Sequence, residues 1–299
     1  AACSDPSRKA AMPLLMPCEP GLPRRIDQAW AREHAIAAAA GPVPLLDHDR
    51  LQAGDAAGGL AWTALPPAGA VLAYRGWMVR PQGIALLADA LRQRGLRLLT
   101  GPDDYRMCHL LPGTLDALAP WSARTVLVPV GELDRLADAL AGFGNRALVV
   151  KDWVKSQAGL WVEACFIPDA ADTAAALRVV NRFMELQGAD LEGGIALREW
   201  TPLVQAAGRA VEWRCFVVGG TPLPPFRRDD GPLDDLPVPG SELLLTAAST
   251  VPCPFWTMDW ALHEDGRHMI LEAGDGGVSA VPDHVDPASI LRAVLKLTL

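Results

Sequence analysis

Asp259, in WTMDWAL, and Glu272, in MILEAGDGG, are the two acids of this chain whose placement most calls for a chemical explanation. Each lies in or beside an apolar run that reads as a strand, where an ionised carboxylate is costly unless a positive group meets it. Two such acids on neighbouring strands can share a divalent cation, and a cation held by oxygen usually means phosphate chemistry. Asp275 follows in AGDGG and completes a candidate Mg²⁺ set of Asp259, Glu272 and Asp275. The glycines around it allow close backbone approach to phosphates, although a Gly- and Asp-rich turn is also a common structural device.

Positive groups stand upstream. Lys151 ends the apolar run ALVVK, and Lys155 follows it in KSQAG, a short segment able to cover phosphates. A lysine where a strand meets a loop places a point charge on phosphate oxygens; the plainer reading is two surface lysines. Glu199 and Trp200 follow the apolar GGIAL in REWTPL, where a strand end can offer polar groups to a base edge and Trp200 an apolar wall. In VEWRCFVVGG, Glu212 and Arg214 share one strand face because side chains repeat every two residues. They read either as a solvated acid–base pair or as groups that meet a transferred phosphate, with Arg227 and Arg228 of PFRR joining from a loop. Arg75 in YRGWM, with Tyr105 and His109 in YRMCH, forms a candidate substrate pocket. Arg75 can grip a substrate carboxylate or simply pair with an acid, and a lone histidine is more often structural.

The elements that would position these residues fall into two parts. Leu14–Pro17 reads as a buried strand, EPGLPRR as a loop, residues 26–40 as a helix closed by Gly41, and PVPLLDHD as a second strand, a β-α-β opening that hints at a parallel sheet. A further strand runs up to Arg75, and residues 81–95 form an amphipathic helix with Pro at its start and Gly at its end. After a boundary near residue 120 strands dominate: ALVVKD, WVEACFI, GIALREW, VEWRCFVVGG, FWTMDWAL and RHMILEA, with helices at 171–187 and 286–297. The expected architecture is therefore an α/β unit over 1–120 and an α+β unit over 121–299 with mostly antiparallel sheets. The Pro-, Gly- and charge-rich stretch 219–240 reads as a long loop.

Taken in order, the strand lysine, REWTPL, VEWRCFVVGG with PFRR, MDWAL and LEAGDG resemble an ATP-grasp enzyme over residues 120–299, with 1–120 resembling the Rossmann-like domain that precedes it. The resemblance implies ATP and Mg²⁺ and an ATP-dependent carboxylate–amine ligase working through an acyl-phosphate. It implies that Lys151 touches the α/β-phosphates, with Lys155 beside it. Glu199 and the Trp200 backbone meet adenine, and Glu212 lines the nucleotide site. Arg214 and Arg227 steady phosphate, and Asp259 and Glu272 hold magnesium. The usual ending Glu-x-Asn reads here Glu272-Ala273-Gly274, so Asp275 stands one position late. The other readings are an ATP-dependent phosphotransferase and a non-catalytic nucleotide-binding module.

The 299 residues carry a formal net charge of −8, which disfavours nonspecific binding to nucleic acid or to an acidic membrane. The apolar runs are too short to span a bilayer, and the N-terminus carries no apolar h-region. Six scattered cysteines form no CxxC pair, consistent with reduced thiols in a cytoplasmic protein. Ten tryptophans against two tyrosines is unusual, and several flank the candidate residues. Small-molecule carboxylate and amine substrates, and a homodimer, are the expected partners.

Overall fold

The computed structural model describes residues 11–154, 158–206, 208–229 and 236–298. The chain opens on a largely parallel sheet. Strand β1 (Leu14–Glu19) is almost wholly buried and forms a hairpin with β2 (Leu22–Ile26). The EPGLPRR stretch expected as a loop is thus mostly strand, turned at Gly21, whose φ of 73° only glycine adopts readily. Strands β3 (Leu45–Leu46) and β4 (Val71–Tyr74) lie parallel to β1, and β5 (Arg97–Leu98) lies parallel to β4. The helix Pro81–Arg92 starts on Pro81 and turns Ile84, Leu87 and Leu91 inward at helical spacing.

Beyond residue 120 come two antiparallel sheets. Strands β6 (Thr125–Pro129), β7 (Leu148–Lys151), β8 (Phe166–Ile167) and β9 (Gly194–Glu199) pair in the order β6-β9-β7-β8. One face of this sheet packs on the helix Thr173–Gln187 through Leu148, Val150, Ile195, Leu197, Val180 and Phe183. Alternation then sends Val149, Lys151, Ala196 and Arg198 to the opposite face. The expected strand WVEACFI is only half realised: Trp161–Cys165 is a helical turn and Phe166–Ile167 the strand.

A small hairpin of β10 (Gln205–Ala206) and β11 (Arg209–Ala210) leads into the last sheet. It contains β12 (Glu212–Val218), β13 (Thr221–Pro222), β14 (Phe226–Arg227), β15 (Phe255–Leu262) and β16 (His268–Asp275), ordered β13-β12-β15-β16 with β14 also on β12. Trp213, Cys215, Val217, Trp256, Met258 and Trp260 fill one face, covered by the helix Ser241–Ala248, which the charge-rich approach to it hides in the sequence. On the other face Phe216, Val218 and Phe255 pack with Leu14, Met16 and the helix Ala288–Leu295, joining this sheet to the first. The remaining residues of that face, Glu212, Arg214, Thr257 and Asp259, open toward the Lys151–Arg198 face. Among the described residues no helix is long and apolar enough to cross a membrane.

Candidate active site

The cleft between the two antiparallel sheets is built by strand register. Arg214 is the cross-strand partner of Asp259, and Asp259 the partner of Glu272, so the three side chains lie in one row across β12, β15 and β16. Arg214 grips Asp259 bidentately, Nε to Oδ1 at 2.8 Å and Nη2 to Oδ2 at 2.7 Å. Arg228 stands 3.2 Å from the same Asp259 Oδ2 and donates to Glu212 Oε2 at 2.6 Å. From the facing sheet, Lys151 Nζ reaches Glu272 Oε1 at 3.2 Å. Beside it Arg198 donates to Thr125 Oγ1 at 3.0 Å and to the carbonyl of Leu271, the residue before Glu272.

Four cations thus converge on three carboxylates. Desolvation in the cleft would push the Glu272 carboxyl up, but Lys151 beside it, with Arg228 and Arg214 behind, holds it below its ordinary value. Glu212 goes the other way: burial raises it against the pull of Arg228. The guanidinium of Arg198 is also lowered by burial, opposed by Glu272. Such a cluster is costly to leave without a highly charged ligand, because each ion has given up water for partners that do not fill its hydrogen-bonding capacity.

Two cavities adjoin the row. One, of about 400 Å³, is bounded by Arg214, Arg228, Asp259 and Glu272, and on its far side by Met78, His109, Val154 and the Thr257–Ser279 hydroxyl pair, whose oxygens are 2.9 Å apart. The other, of about 1090 Å³, is lined by Trp161, Trp200, Arg209 and Glu212 and shares Arg228 with the first. Its aromatic wall is a chain of rings: Trp161 stacks on Phe166 at 5.7 Å, and Phe166 meets Trp200 edge-on at 6.0 Å.

Lys151, Glu212, Arg214, Asp259 and Glu272 therefore come together as expected, and Trp200 walls the adjoining cleft. His109 reaches the smaller cavity, with its ring 4.6 Å from that of Tyr105. Lys155 lies outside the described residues. Glu199 stands at the cleft edge but is engaged by Arg146, and the Trp200 N–H already donates to the Ala147 carbonyl at 2.8 Å.

Four expectations are corrected. Arg227 pairs with Trp213, one residue out of step with Arg214, so it lies on the opposite face, bound bidentately to Asp229 and over the Trp213 ring. Arg228 holds the cleft position instead. Asp275 does not join Asp259 and Glu272. Its Oδ1 accepts from the N–H groups of Gly277 at 2.8 Å and Val278 at 3.2 Å, an Asx turn that ends β16. Burial pushes its carboxyl up to about 7. Arg75 is fully buried and bound to Glu33, and Tyr105 is buried with its hydroxyl on the Val79 carbonyl at 2.5 Å, so neither faces a substrate. Arg198, Trp161, Thr257 and Ser279 were not singled out from the sequence. Alternation along β9 was the signal for Arg198, whose position puts it on the Lys151 face.

Among the described residues no group of three or more His, Cys, Asp and Glu side chains converges as a metal set. The neighbouring carboxylates Asp259 and Glu272 nevertheless fit Mg²⁺, which keeps several waters and needs few protein oxygens, and the surrounding cations fit a polyphosphate.

Residues 141–294 match a family described as an ATP-grasp domain, the third family of its clade. No curated protein sequence matches the chain. Among solved structures, a RimK domain protein ATP-grasp from Sphaerobacter thermophilus aligns at 15% identity and a TM-score of 0.58, covering 94% of this chain and 97% of that one. The D-cycloserine synthetase DcsG aligns at 15% identity and a TM-score of 0.58, over 94% and 98%. D-alanyl-alanine synthetase A from Vibrio cholerae aligns at 11% identity and a TM-score of 0.54, over 95% and 94%. At these identities the likeness is one of fold.

Proposed function

The chain belongs to this ATP-grasp domain family, and on that premise we propose that it is an ATP-dependent ligase joining a small carboxylate, an amino acid in the first instance, to an amine. Residues 1–120 serve as the preceding Rossmann-like domain. The observation that carries this reading is the convergence of Lys151, Arg198, Arg214 and Arg228 on Asp259 and Glu272 in a cleft between two antiparallel sheets.

The larger cavity takes the nucleotide, its base against Trp161 and Trp200, with Glu212 near the sugar. Lys151 and Arg198 meet the phosphates from one sheet and Arg214 and Arg228 from the other. The acceptor carboxylate occupies the smaller cavity. Its oxygen attacks the γ-phosphorus, the bond to the bridging oxygen breaks, and ADP leaves. The amine nitrogen then attacks the acyl carbon, inorganic phosphate departs, and the nitrogen loses a proton to give the amide. The cations neutralise charge that grows on the transferred group, in positions fixed before the reaction begins. Mg²⁺ held by Asp259 and Glu272 would add to that neutralisation. No protein nucleophile is required.

D-cycloserine synthetase and D-alanyl-alanine synthetase, both similar in fold, support the choice of an amino-acid substrate. The test is Mg·ATP turnover against pools of amino acids, with ADP, AMP and phosphate read separately. ADP and phosphate that depend on the pool support the ligase. AMP with pyrophosphate, or phosphate transferred to an acceptor with no amide formed, overturns it.

A further inference from the structure

Arg75 contacts nothing in the cleft, yet its side chain is tied to it. The residue follows β4 in the first sheet and is fully buried. Its Nε and Nη2 hold Glu33 at 2.6 and 2.8 Å. Its Nη1 donates to three backbone carbonyls of the loop after β16: Gly276 at 3.0 Å, Gly277 at 3.3 Å and Ser279 at 2.6 Å. The adjacent Gly76 N–H also donates to the Gly277 carbonyl, at 2.9 Å. Trp30 lies against the guanidinium face, its ring centroid 4.8 Å away.

The loop is built to be held this closely. A Cβ at Gly276 would stand 2.5 Å from the Phe255 ring, and one at Gly277 would collide with the Tyr74 carbonyl. Glycine is needed at both positions because the loop is pressed between the two units. Its continuation forms the far wall of the smaller cavity through Val278, Ser279 and Ala280. There the Ala280 carbonyl accepts from Arg214 Nη1 at 3.0 Å, and Arg214 grips Asp259. An unbroken series of contacts therefore runs from Glu33 through Arg75 and the loop to Arg214 and Asp259.

We propose that Arg75, oriented by Glu33, is a positioning residue for the acceptor cavity. It fixes the Gly276–Ala280 wall, and through it Arg214, without touching substrate or nucleotide. The proposal concerns the cavity to which the ligase reading assigns the carboxylate, and rests on that reading for its kinetic consequence only.

Lysine at position 75 keeps the charge against Glu33 but loses the fork that reaches three carbonyls at once. The test compares R75K with wild type by amide hydrogen exchange, by calorimetric binding of the Mg²⁺ complex of a non-hydrolysable ATP analogue, and by pool-dependent ADP release. Exchange at Gly277 and Val278 should rise at least tenfold while the centre of β15 is unchanged. Affinity for the analogue should stay within about twofold, because the aromatic wall and Lys151 are not in the series of contacts. Displacement of a reacting group by about 1 Å costs up to about 100-fold, so kcat for ADP release should fall toward that limit. If R75K does not fold, E33Q carries the same measurements, since it leaves the guanidinium and its carbonyl bonds in place but removes the charge that orients it. Unchanged loop exchange, or a loss of nucleotide affinity equal to the loss of turnover, overturns the proposal. The exchange result stands even if the wild type turns over no ATP with any pool, so failure of the ligase reading is told apart from failure of this one.

Discussion

Arg75 holds Glu33 at 2.6 and 2.8 Å, and Arg214 holds Asp259 at 2.8 and 2.7 Å, two bidentate pairs of nearly equal geometry. Their surroundings differ. The third nitrogen of Arg75 is used up on backbone carbonyls, and aromatic rings close over its face. Around Arg214 the partners are other ions, Arg228 on the shared aspartate and Glu272 in the next strand, and the group borders a cavity. A complete set of fixed partners makes a clamp, while a surplus of mobile charge at a cavity makes a place for a charged ligand. The difference lies in what surrounds the pair.

If that distinction is right, the two pairs should fail in different ways. Breaking a buried ion pair by removing one partner costs about 3–5 kcal/mol. Glu33→Ala should lose stability of that order in a denaturant titration, since it leaves Arg75 charged and half-partnered in the interior. Equal stability of Glu33→Ala and wild type would mean that the clamp is not structural. Arg214→Ala should melt close to wild type, yet lose turnover by about 100- to 1000-fold, the range for removing one preorganised charge donor from a transition state. A variant that lost stability and kept its turnover would reverse the assignment.

Asp275 sharpens the same comparison, because the sequence groups it with Asp259 and Glu272 while the structure groups it with the clamp. Its carboxyl is raised to about 7 in the folded chain from an ordinary 3.8, with burial the main cause. The folded state therefore binds more protons than the unfolded one between these values. The stabilisation is fully present below about pH 4, is lost as pH rises through 7, and is level above that. Asp275→Asn keeps an oxygen for the Gly277 and Val278 N–H groups and cannot ionise. Its stability should lack this decline and exceed wild type at pH 8 by on the order of 4 kcal/mol. Turnover should be little altered. A collapse of Mg²⁺-dependent turnover in Asp275→Asn would instead return the residue to the metal set.

Legibility in the sequence followed how local the determining physics was. Asp259, Glu272 and Arg214 could be found because charge inside an apolar alternating run is a local anomaly, and β12, β15 and β16 run where that alternation put them. The order of the motifs indicated the family for the same reason. Asp275 was misread because a carboxylate that caps its own turn and one that binds a cation look alike until the two N–H groups are seen. Arg75 was seen as a pairing group, but Glu33 is 42 residues earlier and its carbonyl partners some 200 later, beyond any local pattern. Trp161 was assigned to a strand because its apolar neighbours suit either periodicity, and tertiary packing chose a helical turn.

Arg227 and Arg228 give the smallest effect and the most direct test of register. They are adjacent and identical in chemistry, so only the pairing of β14 with β12 separates them. Trp213 opposes Arg227 and Arg214 opposes Phe226, which sends Arg227 to the tryptophan face and leaves Arg228 beside Asp259 and Glu212. Arg228→Ala should lower turnover about tenfold, near the lower end for a hydrogen bond to a charged group, with little change in melting. Arg227→Ala gives up its bonds to Asp229 and its place over Trp213, and should cost about 1 kcal/mol of stability with turnover within about twofold. The assay is steady-state ADP release set beside thermal melting for both variants. Exchanged results would mean that β14 is shifted by one residue. Every side chain on that strand would then change face, and the cleft would lose the arginine that bridges its two cavities.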